Sequence, residues 1–159
     1  MRFLRLTLLV SFFLLGPIGA YAHEFKVGDI EITHPWARAT PPGATVGGGY
    51  LTITNHGSQP DRLTAVSTPI AGMTQLHRMT MEGDIAKMEE LPDGIEIPPG
   101  ASVELKPQSL HIMFMALKKP FKEKESFEAE LTFEKAGKVT VEFEIEPMGA
   151  DAPMDMNME

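Results

Sequence analysis

"SFEAELTFEKAGKVTVEFEIE", residues 126–146, decides the fold class. Phe127, Ala129, Leu131 and Phe133 alternate with Glu and Thr, and Val139, Val141, Phe143 and Ile145 do the same after the short "KAGK" turn. Side chains of a strand point to opposite faces in turn, so this period of two marks strands with one buried face. The same alternation recurs in "DIEITH" (29–34), "YLTITN" (50–55), "RLTAVS" (62–67) and "SVELK" (102–106). Pro and Gly gather between these runs at "PPGATVGGG" (41–49) and "LPDGIEIPPG" (91–100), as turns and loops require. No stretch carries the period and caps of an amphipathic helix. Many short strands at regular spacing predict an all-β antiparallel sandwich or barrel with Greek-key links.

The two ends of the chain read differently. Arg2 and Arg5 precede the apolar run "LTLLVSFFLLG", and Ala20-Tyr21-Ala22 supplies a small-residue cleavage site; residues 1–22 are expected to be a removed signal peptide. That run is too short, and too soon interrupted by Gly16 and Pro17, to span a bilayer. Residues 23–146 then form one domain, and the stretch 147–159, "PMGADAPMDMNME", is polar and unpatterned, predicting a flexible tail. Cleavage removes two arginines and no carboxylate, so the formal charge of −8 becomes −10. Such a surface disfavours nucleic acid and anionic lipid, while it gathers cations. The chain has no cysteine. Thiol nucleophiles, CxxC redox pairs, zinc ribbons and blue-copper centres are all excluded with it.

Histidine and methionine meet twice. "TQLHRMTMEGDIAKM" (74–88) reads as a hairpin, and "LHIMFMAL" (110–117) as a further strand. A two-residue turn at Glu82-Gly83 would set Met88 directly across from His77, with Met79 and Met81 on the same face; a four-residue loop would shift the pairing by two and keep Met88 on that face, and a three-residue loop would flip it to the other. His111, Met113 and Met115 share a face by the same rule. Should the two strands approach, two imidazoles and two thioethers converge. That donor set is soft and neutral, and it suits Cu(I) better than zinc, calcium or magnesium. Thioethers cannot form disulfides, an advantage in an oxidising compartment, although sulfoxide formation remains a hazard.

The runs "HPWARATPPGATVGGGYLTITNHG" (34–57), "LHRMTMEGDIAKM" (76–88) and "GIEIPPGASVELKPQSLHIMFMALKKP" (94–120) resemble the periplasmic copper chaperones called PCu(A)C. The likeness spans roughly residues 23–146. It implies a cupredoxin-like β-barrel and the ligands His77, Met88, His111 and Met113. Between Met88 and His111 lie 22 residues, one more than in the family signature, with the extra residue expected in the Pro/Gly-rich loop. The resemblance also implies a periplasmic, monomeric, non-enzymatic protein that supplies copper to an acceptor such as the binuclear copper centre of cytochrome c oxidase, with a Sco-type assembly factor as co-worker.

Each of these residues also has a plainer role. Methionine fills cores readily, and a lone histidine is more often structural than a ligand; the four together at matching parity favour the metal. Met79, Met81 and Met115 are expected beside the site as auxiliary donors or simple contacts. Trp36 reads as an aromatic anchor, with His34 and Arg38 structural, and His56 as a solvated turn residue. Gly47-Gly48-Gly49 lacks the lysine and helix of a phosphate loop and marks a bulge or close backbone approach. His23, exposed by cleavage, could chelate Cu(II) as in copper-dependent oxidative enzymes, which is the rival reading alongside copper storage and a copper-independent assembly sandwich. Met148, Met154, Met156 and Met158, interleaved with Asp151, Asp155 and Glu159, have no core to fill and are expected to form a copper-collecting arm for Cu(I) or Cu(II).

Overall fold

A computed structural model describes residues 24–153 as eleven strands and no helix. The strands are β1 (Glu24–Val27), β2 (Ile30–Arg38), β3 (Val46–Asn55), β4 (Asp61–Ser67), β5 (Ala71–Glu82), β6 (Ile85–Glu90), β7 (Ile95–Ile97), β8 (Ser102–Leu105), β9 (Leu110–Leu117), β10 (Ser126–Phe133) and β11 (Gly137–Glu146). They pair in the order β6-β5-β9-β3-β2-β11-β10-β4-β7, with β1 added to β2 and β8 to β3. The all-β expectation is met. One detail is corrected: β2 and β11 run parallel, through Trp36–Glu144 to Arg38–Glu146, so the sheet is mixed.

Two long strands change partners midway, and this folds the sheet over its own core. The first half of β2 pairs with β1, its last residues with β11. The switch falls at a register shift between Thr33 and Trp36, where His34 takes a left-handed φ of 51°. His34 is thus a bulge residue. On β3, Leu51–Thr54 pair with β8, while Val46–Gly49 pair with β9. The three glycines lie inside this strand and not in the preceding loop. They mark a close approach: a β-carbon on Gly49 would lie 2.5 Å from Cε2 of Phe114, and one on Gly47 would lie 2.6 Å from Cε2 of Phe121.

The rings that press on those glycines are the centre of the core. Phe114 meets Phe121, Phe127 and Phe143 edge-on at centroid distances of 5.9, 5.2 and 5.7 Å. Phe127 stacks on Phe143, and all four are buried. Edge-to-face and offset contacts of this kind add to the stabilisation from area alone. The alternation in 126–146 is what directs Phe127, Leu131, Phe133, Val141 and Phe143 inward.

Two strands were not legible. β1 is short and begins beside the expected cleavage site, and β7 is a three-residue edge strand inside "LPDGIEIPPG", where the flanking Pro and Gly argued for a loop. Gly49→Ala is expected to destabilise the protein by about 1–3 kcal/mol, because Phe114 has no room to retreat; a urea melt followed by circular dichroism measures it.

Candidate metal centre

β9 lies between β3 and β5, and its ladder with β5 aligns His77 with His111, Gln75 with Met113 and Met73 with Met115. All six residues are odd-numbered on their strands and share one face. The other face of the same strands carries Leu76, Ile112 and Phe114, all buried in the core. Burial of those three therefore fixes which way the imidazoles and thioethers point. The two imidazole rings stand 5.6 Å apart between centroids, tilted by 70°.

The hairpin departs from the expected register. Its turn is Gly83-Asp84, with Gly83 at a φ of 62°, so Glu82 pairs with Ile85 and Met79 with Met88. His77 faces Glu90 instead of Met88. Met88 thus sits on the expected face but diagonally from His77, about 7–8 Å between β-carbons. The shift is two residues, which preserves parity. Met79 occupies the place between Met88 and β9, and its backbone N–H donates to the Ser109 carbonyl at 3.0 Å. Met81 follows on the exposed end of the hairpin.

Each imidazole is oriented by a residue two positions earlier in the chain, Gln75 on β5 for His77 and Ser109 in the bend before β9 for His111. His111 Nδ1 donates to the Ser109 carbonyl at 2.9 Å, leaving the Nε2 lone pair free. His77 Nε2 donates to Oε1 of Gln75 at 2.8 Å, leaving the lone pair on Nδ1. That Nδ1 is buried and has no hydrogen-bond partner among the described residues. A buried acceptor without a donor is costly and unusual. An imine nitrogen in this position can accept from a donor or bind a cation, and a hydrogen bond from the other ring nitrogen is how ligating histidines are commonly held. Sequence reasoning missed Gln75 and Ser109; Gln75 shares the parity of His77 on β5, which was the available signal, whereas Ser109 acts through a main-chain carbonyl that side-chain parity does not locate.

Burial favours the neutral form of His111. His111 is 6% exposed. Burial pushes its imidazole below the ordinary range, the Ser109 hydrogen bond opposes this, and nearby His77 adds to it. Among the described residues no three His, Cys, Asp or Glu side chains gather into a metal cluster. Thioethers are the further soft donors on this face, with Met79 and Met113 half-buried and Met88 exposed, and the exposed Glu90 stands across from His77. The arrangement suits a soft monovalent cation.

A wall of aromatic side chains adjoins Met113. Its partner on β3 is Gly48, and the Tyr50 hydroxyl lies over that glycine, 2.7 Å from where a β-carbon would be. Tyr50 packs on Trp36 with centroids 4.6 Å apart, and Arg38 lies over the Tyr50 ring. Arg38 in turn donates to the Ala150 carbonyl and, at 2.7 Å, to the Asp151 carboxylate. The segment after β11, with exposed Met148, is therefore held on this side of the sheet. His23, Met154, Met156, Met158 and the expected signal peptide lie outside the described residues.

The family described as LpqE-like lipoproteins matches residues 30–145. A protein described as a lipoprotein, Lxx21020 of Leifsonia xyli subsp. xyli, is 29% identical over 140 residues, covering 83% of this chain and 82% of its own. Among solved structures, the copper-bound PCuAC domain from PmoF2 superposes with a TM-score of 0.67 at 32% identity, covering 79% of this chain and 98% of that domain. The Cu(I) form of DR1885 from Deinococcus radiodurans gives a TM-score of 0.60 at 28% identity, over 80% of this chain and 83% of that one.

Protonating His111 costs more in the folded protein than in the unfolded chain, whose imidazole titrates near 6.5. As pH falls through that value the unfolded chain takes the proton first, so stability is lost below it. Urea midpoints of the metal-free protein are expected to fall between about pH 6.5 and 5, and His111→Gln should flatten that fall.

Proposed function

The chain belongs to the LpqE-like family, and on that footing we propose that it is an exported Cu(I) chaperone of the PCuAC type, working in the periplasm. Copper is its cargo, bound through His77, His111, Met113 and Met88. The observation that carries this reading is the facing pair of imidazoles, each with one lone pair freed by its own orienting hydrogen bond and one of them buried without a partner. The copper-bound state of the PmoF2 domain and the Cu(I) state of DR1885 supply the identity of the ion.

The donors are neutral, so the ion keeps its single charge and the surrounding acidic surface adds attraction from outside. No thiolate or carboxylate has to be displaced when copper leaves. Transfer is ligand exchange: an acceptor's donor binds as one thioether lets go, with no change of oxidation state. Met88 suits the part of the donor that opens, since it lies at an exposed edge strand while His111 is buried. The acceptor is a copper-site protein of the same compartment, such as the oxidase subunit that houses a binuclear copper centre or a Sco-type assembly factor. The relatives' lipoprotein description does not carry over as an S-linked lipid within these 159 residues, because none is a cysteine. No helix among the described residues is long and apolar enough to cross a membrane. The methionine arm starts at Met148, in the segment that Arg38 holds through Ala150 and Asp151, and continues in sequence to Met154, Met156 and Met158; gathering copper for the site is the role that fits.

Loss of an orienting partner alone typically costs about 10–100-fold in metal affinity. The double variant His111→Ala/Met113→Ala should therefore lose Cu(I) affinity by more than that, measured by competition with a chromophoric Cu(I) chelator, while its far-ultraviolet circular dichroism stays unchanged. Unaltered affinity in the double variant would end the chaperone reading. Met88→Leu alone is expected to weaken binding less than Met79→Leu/Met88→Leu, because Met79 stands directly across from Met88 and can replace it.

A further inference from the structure

The His77–His111 row does not use all the sulfur on its face. Two rows away, Met73 of β5 stands directly opposite Met115 of β9. The row between them holds Gln75 and Met113. Met73 is 52% exposed and Met115 half-buried, and the next strand offers only Val46, itself 44% exposed, beside Met115. Core filling does not account for the pair, because the core lies on the opposite face with Leu76, Ile112 and Phe114. Two flexible thioethers held open to solvent lose apolar burial without gaining hydrogen bonds.

We propose that Met73 and Met115 form a second, thioether-only Cu(I) station, joined to the first by Met113. The inference deepens the chaperone reading and rests on it. Directly opposed β-carbons are about 5 Å apart, and two methionine side chains can close that gap on one soft ion. With sulfur alone and no charge to offer, the station would take Cu(I) and reject zinc and Cu(II). It lies four residues along the strand from the imidazoles, about 13 Å away, so it is a separate site. Met113 is midway and faces both. Its sulfur would bond the ion at one station while still near the other. Movement between them breaks one Cu–N or Cu–S bond as one Cu–S bond forms, and the copper stays Cu(I). The station is more exposed and has fewer donors than the imidazole site, so it fills second and empties first.

Silver(I), a redox-inert stand-in for Cu(I), tests this with the protein carrying ¹³C-methyl methionine. The first equivalent should move the His77 and His111 ring signals and the Met113 methyl. The second should move the Met73 and Met115 methyls together. Met73→Leu, at a half-exposed position outside the first site, should abolish the Met115 shift and leave the first-equivalent shifts as they were. Met73 and Met115 methyls that stay still through the second equivalent would overturn the station, and so would a Met115 shift that survives Met73→Leu. Failure of the first site shows differently, as histidine signals that do not move on the first equivalent.

Discussion

Everything at the site depends on the register of one antiparallel ladder. Were β5 to slip by a single residue against β9, the imidazole of His77 would go to the core side and Leu76 to solvent. Backbone hydrogen bonds alone would not prevent this, since they repeat along the strand. Side-chain burial does. Leu76 and Ile112 face the core as cross-strand partners, Phe114 fits against Gly49 and Phe121 against Gly47 of β3, and the four-phenylalanine cluster closes behind them. A donor set built from neutral side chains has no strong electrostatic attraction to assemble it. The hydrophobic core supplies the alignment, and the donors are carried along on the reverse face.

That division explains why the site is soft and neutral in an acidic protein. Most of the described carboxylates sit on exposed faces, Asp61 and Glu146 being buried, and several pair with lysines and arginines. They raise the cation concentration near the surface without contributing a ligand. In the proposed site, discrimination among cations would fall to the imidazoles and thioethers, a donor set with too little charge for zinc and calcium and suited to Cu(I).

The fold and the face were legible in the sequence for the same reason: both follow from parity. Period two gives the inward residues of β10 and β11, and it also says that His77 and Met79 travel together, as do His111 and Met113. Parity cannot locate a turn. "MEGDI" admits a turn at Glu82-Gly83 or at Gly83-Asp84, and the two differ by a register shift of two residues. The face of Met88 survives that shift and its partner does not. Contacts set by tertiary packing were out of reach. The grip of Arg38 on Ala150 and Asp151 spans more than a hundred positions, and the fit of Phe114 against Gly49 joins strands far apart in the chain.

The less visible half of the site is the pair of groups that aim the imidazoles. A free imidazole can exchange its proton between two nitrogens and turn about its side-chain bonds, so a bare His–His pair offers a cation many geometries and few that work. Ser109 and Gln75 remove that freedom, one through a main-chain carbonyl and the other through a side-chain amide. The two devices differ in stiffness. The Ser109 carbonyl, just before β9, is itself held by the Met79 N–H and keeps His111 in a buried position. Gln75 is a half-buried side chain that can swing, so His77 keeps more freedom than its partner. A site meant to retain its ion would fix both rings equally. One fixed ring, one adjustable ring and thioethers at an exposed edge fit the proposed role, a site that would bind copper and that a competing ligand could open.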